Sequence, residues 1–145
     1  MILPDVNLPI YAYNSDSPLH QAARRWWEQT LEGPETVGLA WIALIAFVRI
    51  TTHERIFRKP LPVATAISHV KAWIAVPNVQ ILTPGDSHGN LLFEFIEKAG
   101  TAGNLTTDAH LAALAIEYQA TLATTDNDFA RFPGLKWINP LAGKS

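Results

Sequence analysis

The chain has 145 residues, of which 48% are hydrophobic, and its 11 basic and 13 acidic residues give a formal net charge of -2. This length and composition predict one soluble domain spanning residues 1–145, and the near balance of charge excludes attraction to nucleic acid or anionic membranes through net charge alone. The absence of cysteine excludes disulfides and thiolate metal sites and favours a cytoplasmic location.

Short apolar runs alternate with longer segments of helical period along the chain. The runs predict strands at 1–3, 36–39, 79–82, 121–124 and 136–138. The other segments predict helices near 7–13, 17–31, 40–52, 63–75, 86–98 and 105–118. This alternation is typical of βα units around a parallel sheet, so we expect an α/β layer sandwich.

The N-terminus and the longest apolar segment predict neither a signal peptide nor a membrane span. Asp5 and Asn7 interrupt the first apolar residues, and no basic leader precedes them. The longest nearly apolar stretch, residues 37–48, has 12 residues. A bilayer-spanning helix needs ~20, so we expect no membrane partner.

Three aspartates stand out along the predicted elements. Asp5 follows the first predicted strand and Asp126 follows the fourth. The C-terminal ends of parallel strands border the ligand crevice where strand order changes, so these acids could share one site. Asp108 has the apolar residues Leu111 and Ala112 as same-face neighbours on its predicted helix. A carboxylate on an apolar stripe is costly unless it is paired or binds a cation, which favours a functional role over a buried hydrogen-bonding one.

A site holding these three acids would need a compensating cation to keep them ionised near neutral pH. Oxygen-only ligands suit Mg²⁺ or Mn²⁺. Such ions activate water for in-line attack on a phosphodiester and stabilise the leaving oxygen, so the acids predict metal-assisted phosphodiester hydrolysis. A phospho-accepting receiver-like domain also clusters acids, but it needs adjacent acids after the first strand, where Asp5 stands alone.

Three stretches of the chain resemble the PIN-domain ribonucleases, and in particular the VapC-type toxins of bacterial toxin–antitoxin pairs. They are ILPDVNLPIYAY at 2–13, GNLTTDAHLAALA at 103–115 and TLATTDNDFARFPGLKWINP at 121–140. The resemblance implies a PIN-like three-layer α/β/α sandwich with a central five-stranded parallel sheet. It implies a Mg²⁺- or Mn²⁺-dependent endoribonuclease acting on cellular RNA, a homodimer, and neutralisation by a VapB-type antitoxin. It also implies that Asp5, Asp108 and Asp126 are catalytic metal ligands, with Asp128 as a supporting or structural acid.

The chain departs from the family pattern at the second acid. The family has a glutamate in an apolar helix and frequently an arginine three residues later, whereas the matching stretch LIAFVRI has Ala46 at the glutamate position and Arg49 at the arginine position. Glu54 is no obvious substitute, because eight helical residues correspond to ~12 Å of rise. Ala46 is either natural to a degenerate member or an inactivating substitution, and the otherwise intact motif slightly favours the second. The alternative function is a catalytically inert PIN-type module that binds RNA or antitoxin.

Further polar residues are candidates for supporting roles. Asn7 could hydrogen-bond the acids or water, or could serve only a turn or a cap. Thr125 could orient a metal-bound water, or could merely end a strand. Arg49 is alone in an apolar helix, so we expect it to pair with the acidic site. A candidate RNA-contacting rim, equally compatible with a solvated surface, consists of Arg55, Arg58 and Lys59.

Aromatic residues on the second and third predicted helices predict self-association. They are Trp26, Trp27, Trp41 and Phe47. Together they offer more apolar area than one small sheet face readily covers. We therefore expect a homodimer with a largely apolar interface.

Overall fold

The computed structural model describes residues 1–100 and 103–143. The strands are β1 (Ile2–Pro4), β2 (Val37–Ala40), β3 (Val79–Leu82), β4 (Thr121–Ala123) and β5 (Trp137–Ile138). The α-helices are α1 (Asn7–Tyr13), α2 (His20–Glu32), α3 (Trp41–Thr51), α4 (Val63–Ile74), α5 (His88–Ala99) and α6 (Asn104–Glu117). A short 3₁₀ helix, Asn127–Arg131, follows β4 and was not predicted. The predicted alternation is confirmed, and in the described ranges no helix is long and apolar enough to cross a membrane.

The strands form one parallel sheet in the order β3-β2-β1-β4-β5. Leu3 of β1 pairs with Leu122 of β4, and Leu39 of β2 pairs with Ile81 of β3. The chain builds the sheet outward from β1 through β2 to β3, and then crosses to the other side of β1 for β4 and β5. Strand order therefore reverses between β1 and β4, and a crevice for ligands is expected at the C-terminal ends of these two strands.

Two apolar cores lie on opposite faces of the sheet. Helices α1 to α4 cover one face, where Leu8, Trp27, Phe47 and Trp73 are buried. Helices α5 and α6 and the 3₁₀ helix cover the other face, with buried residues that include Phe95, Leu111, Leu114 and Phe129. Because both faces are covered, the short strands are almost wholly apolar. The predicted three-layer α/β/α sandwich with a five-stranded parallel sheet is confirmed.

The aromatic residues that motivated the dimer prediction have two different environments. Trp27 and Phe47 are only 2% and 0% exposed and belong to the core of the chain itself. Trp26 is half-buried against that core. Trp41 is 52% exposed, and Ile45 on the same helix is 62% exposed. Of the four aromatic residues that motivated the prediction, only Trp41 is thus open to a partner.

Candidate active site

Asp5 lies directly after β1 and is 5% exposed. Its backbone N–H donates to the carbonyl oxygen of Ala123 at 2.8 Å, which continues the ladder between β1 and β4. Its Oδ1 accepts from the backbone N–H of Val6 at 2.7 Å, and its Oδ2 accepts from the hydroxyl of Thr124 at 2.9 Å. Burial raises the pKa of Asp5, the two hydrogen bonds oppose that rise, and the charge of Asp126 adds to it.

The hydroxyl of Thr124 connects the acids of the two central strands. Thr124 is fully buried, and while it donates to Asp5 it accepts from the backbone N–H of Asp126 at 3.0 Å. Asp126 in turn caps the 3₁₀ helix, since its Oδ1 accepts from the backbone N–H of Asp128 at 2.8 Å. A continuous series of hydrogen bonds therefore fixes Asp5 and Asp126 relative to each other.

Asp108 lies in the N-terminal half of α6 and is half-buried. Its predicted apolar neighbours Leu111 and Ala112 are buried in the core beneath α6. The pKa of Asp108 is raised to about 6, first by burial and then by the charges of Asp5, Asp126 and Asp128, while the charge of Arg131 opposes the rise. The structure therefore brings the three predicted acids within electrostatic reach of one another, near the C-terminal ends of β1 and β4, between which strand order reverses.

The donor chemistry of this acid cluster, defined as Asp5, Asp108 and Asp126, fits a hard divalent cation. Carboxylate oxygens are the ligands that Mg²⁺ and Mn²⁺ prefer. Among residues 1–100 and 103–143, however, no group of three or more His, Cys, Asp or Glu side chains is arranged to hold a metal ion by itself. Mg²⁺ commonly takes one or two carboxylates and completes its shell with water and phosphate oxygens. The cluster fits that mode of binding and does not fit a preformed protein cage.

The predicted supporting residues have mixed outcomes. The hydroxyl that joins the acids belongs to Thr124, which was not predicted, and the role of the adjacent Thr125 toward a metal-bound water stays a prediction. Successive side chains of an extended chain point to opposite sides, so only one of two adjacent threonines reaches Asp5. A fully buried hydroxyl needs hydrogen-bond partners. The sequence did not show that Thr124 is buried, so this role could not be predicted. Asn7 begins α1 two residues after Asp5, and its supporting role stays a prediction.

The cation near the acid cluster is Arg131 and not the predicted Arg49. Arg49 is exposed and, with Trp41 and Ile45, lines an apolar groove between α3 and α4. In the described part of the chain, Arg49 takes part in no ion pair. The positive charge that lowers the pKa of Asp108 is that of Arg131, at the end of the 3₁₀ helix. Because this short helix was not predicted, the position of Arg131 was missed.

The basic segment between α3 and α4 is solvent-exposed at Arg55, Arg58 and Lys59. Two of these side chains, Arg58 and Lys59, border a polar recess that residues 13–16 also line. The hydrogen bonds and ion pairs of the described residues do not connect this segment to the acid cluster. Its role as an RNA-contacting rim stays a prediction.

A second polar group joins α5 to α6 and was not predicted. Nδ1 of His88 lies 2.7 Å from Oε2 of Glu117, and Nε2 of His88 lies 2.9 Å from Nδ1 of His110. The remaining oxygen of Glu117 accepts from the backbone N–H of Gly85 at 3.0 Å. Burial lowers the pKa of His110, the neighbouring His88 lowers it further, and Glu117 opposes the change. These contacts fix the loop before α5 against the end of α6.

Comparisons with known proteins agree with this geometry. Residues 2–135 match the PIN domain family. The chain is 46% identical to Ribonuclease VapC33 of Mycobacterium tuberculosis over 141 residues, which cover 97% of this chain and 99% of that protein. It is 41% identical to Ribonuclease VapC37 of the same organism over 142 residues, which cover 98% and 99%.

Solved structures share the fold at lower sequence identity. VapBC2 from Rickettsia felis, bound to a DNA fragment from its promoter, has a TM-score of 0.68 at 19% identity and covers 96% of this chain and 98% of that chain. The sarcin-ricin loop cleaving toxin VapC20 of Mycobacterium tuberculosis has a TM-score of 0.65 at 18% identity, with 90% and 93% covered. At these identities the likeness concerns the fold alone.

Proposed function

The chain belongs to the PIN domain family, in its VapC branch, and on that premise we propose that it is an endoribonuclease toxin that uses Mg²⁺ or Mn²⁺ to hydrolyse cellular RNA. The observation that carries the proposal is the acid cluster at the C-terminal ends of β1 and β4. There the charges of Asp5 and Asp126 act on Asp108. The names of the relatives, which are ribonucleases, support the substrate class.

Three acids share one role in this proposal, and two neighbouring residues support them. Asp5, Asp108 and Asp126 would hold the metal ion, which supplies an activated water and stabilises the leaving oxygen of the phosphodiester when it is bound. Thr124 holds Asp5 in one orientation, so that its carboxylate does not have to reorganise when substrate arrives. Asp128 supports Asp126 through its backbone N–H and is exposed itself.

Ala46, at the position of the second family acid, leaves a catalytically inert module as the alternative function. Ala46 is half-buried on α3 and supplies no oxygen ligand. With one carboxylate fewer, metal affinity and hydrolysis are impaired relative to a site with four acids. An inert module that binds RNA or antitoxin without cleaving is the function that remains if the impairment is complete.

We propose two protein partners. A VapB-type antitoxin is supported by the structural neighbours, several of which are VapBC complexes. A second copy of the chain is supported by the apolar groove between α3 and α4, where Trp41, Ile45 and Ile67 are exposed. Exposed apolar area of this kind is typical of protein–protein contacts.

Cleavage of end-labelled structured RNAs by the purified chain tests the proposed function. At high enzyme concentration we expect cleavage with Mg²⁺ or Mn²⁺, no cleavage in EDTA, and loss of cleavage in Asp126→Asn. A chain that binds these RNAs but cuts none of them with either metal is the inert module instead. A chain that neither binds nor cuts RNA contradicts the proposal altogether.

A further inference from the structure

Arg131 is held at the end of the 3₁₀ helix by contacts that leave much of its side chain in solvent. Its Nε–H donates to the carbonyl oxygen of Asp128 at 3.1 Å. Its Nη2 lies 3.7 Å from Oδ1 of Asp128, which is longer than a hydrogen bond. The side chains of Arg131 and Asp128 are 39% and 63% exposed. The backbone contact therefore orients the guanidinium plane while its terminal nitrogens remain able to donate to a ligand.

The hydrogen bonds of the acid cluster lead outward to this guanidinium group. They connect buried Asp5 to Thr124, Thr124 to Asp126, and Asp126 to Asp128. Arg131 is the next link, through the carbonyl oxygen of Asp128. Arg131 is thus at the solvent-exposed end of the series that begins with the most buried acid, and its charge acts on Asp108 across the cluster.

An RNA strand that reaches the acid cluster brings phosphates toward several carboxylates. A metal ion offsets part of this repulsion at the scissile phosphate, but a neighbouring phosphate meets the same negative surface. A guanidinium group binds phosphate through two parallel N–H donors and keeps its charge at every physiological pH. We propose that Arg131 binds the RNA phosphate next to the scissile phosphodiester, and this inference rests on the proposed ribonuclease function.

A purely structural role for Arg131 predicts different behaviour. If Arg131 only stabilises the 3₁₀ helix, its replacement lowers stability and leaves the salt dependence of RNA binding unchanged. A phosphate contact instead contributes to the release of counterions on binding, so its loss reduces the slope of log affinity against log salt. The salt dependence therefore separates the two roles.

The experiment measures binding of a short, end-labelled, random-sequence single-stranded RNA by fluorescence anisotropy over a series of salt concentrations. Parallel measurements in Mg²⁺ and in EDTA separate phosphate binding from cleavage. The variants are Arg131→Gln, which removes the charge, and Arg131→Lys, which keeps it. Arg24→Gln is the matched control, because Arg24 is also exposed and contacts a carboxylate on its own helix, Glu28, at 3.1 Å.

For Arg131→Gln we expect affinity about tenfold weaker at low salt, as for loss of one hydrogen-bonded charge, and a slope smaller by ~0.7. Arg131→Lys should keep the slope and recover part of the affinity, and Arg24→Gln should match the unsubstituted chain. If Arg131→Gln keeps the full slope while the unsubstituted chain binds RNA, the inference is wrong and the proposed function stands. If the unsubstituted chain neither binds nor cleaves RNA, the proposed function fails, and the inference fails with it.

Discussion

A single hydroxyl group organises two of the carboxylates in this chain. Thr124 is 0% exposed, and its two hydrogen bonds connect Asp5, after β1, to the backbone of Asp126, after β4. Both acids follow the C-terminal ends of central strands, Asp5 after β1 and Asp126 after β4. The side chain of Thr124 adds a second connection there, beside the backbone hydrogen bond from the N–H of Asp5 to the carbonyl oxygen of Ala123.

Thr124→Val keeps the shape of the side chain and removes its hydroxyl. It leaves Oδ2 of Asp5 and the N–H of Asp126 without their present partner. We expect the free energy of unfolding to fall by about 1–3 kcal/mol, as for buried groups left unsatisfied, and RNA cleavage to fall with it. Denaturant titration and a cleavage assay measure the two effects. Thr124→Ser, which retains the hydroxyl, is the control, and equal losses in both variants would show that the hydrogen bonds are unimportant.

The pKa of Asp108 makes the stability of the chain depend on pH. In the folded chain this pKa is raised from 3.8 to about 6, first by burial and then by the neighbouring carboxylates. Between these two values the folded state binds more protons than the unfolded state. The free energy of unfolding therefore falls as pH rises through this window. Above it, the ionised carboxylate of Asp108 opposes folding.

Asp108→Asn removes this contribution. In EDTA, the variant should become progressively more stable than the unsubstituted chain as pH rises from 3.8 to about 6. At higher pH the difference in the free energy of unfolding should stay constant. Its size should be about 1 kcal/mol, because solvent screens a half-buried carboxylate. Urea unfolding at several pH values measures it. A difference that is independent of pH would contradict the proposed electrostatic coupling.

The helices and strands differ in how well the sequence predicts them. Helix α1 and strand β3 have the bounds that were predicted, because apolar periodicity identifies each of them. The 3₁₀ helix Asn127–Arg131 was missed, since its 5 residues are too few to show a period. Because this helix was not predicted, Arg131 at its end was not assigned to the site, and its effect on the pKa of Asp108 was missed.

The sequence predicts contacts between elements only where a rule of topology applies. Asp5 and Asp126 were assigned together because parallel topology brings strand ends into one crevice. No comparable rule connects Arg49 to the acids. In the structure, Arg49 lines the exposed groove between α3 and α4. Likewise, His88 and Glu117 are 29 positions apart, and only the packing of α5 on α6 brings them together.

Helix α3 carries the one position at which the acid pattern is incomplete. If Ala46 occupies the place of the family glutamate, Ala46→Glu restores a carboxylate to the site. We expect it to tighten binding of Mg²⁺ or Mn²⁺ and to raise RNA cleavage by about 10² or more, as positioned catalytic groups do. Calorimetry with each metal and a single-turnover cleavage assay measure these changes.

Ala46→Gln is the control, because it has nearly the same shape as the glutamate variant without its charge. Ala46→Gln should neither tighten metal binding nor raise RNA cleavage. Adding Asp126→Asn to Ala46→Glu should abolish the gain in cleavage. If Ala46→Glu binds metal no better and cleaves no faster than the unsubstituted chain, the glutamate position has been misassigned.

On the scale of the whole molecule, three of the seven large hydrophobic side chains that are exposed in the described residues, Trp41, Ile45 and Ile67, line one groove. The groove lies between α3 and α4 and is lined almost entirely by apolar side chains, with Arg49 and Lys71 among the lining residues. Ile45 and Trp41 are 62% and 52% exposed there. Trp41, at one end of the groove, directly follows the C-terminal end of β2, and β2 pairs with β1.

Light scattering at tens of micromolar tests whether this groove is a dimer interface. We expect the unsubstituted chain to be a dimer and Ile45→Glu to be a monomer, because a buried, unpaired carboxylate opposes association. Phe93→Glu is the matched control, since Phe93 is 61% exposed on α5 and does not line the groove. It should remain dimeric. A monomeric unsubstituted chain contradicts the homodimer, whereas a dimer that survives Ile45→Glu but not Phe93→Glu places the interface on α5 instead.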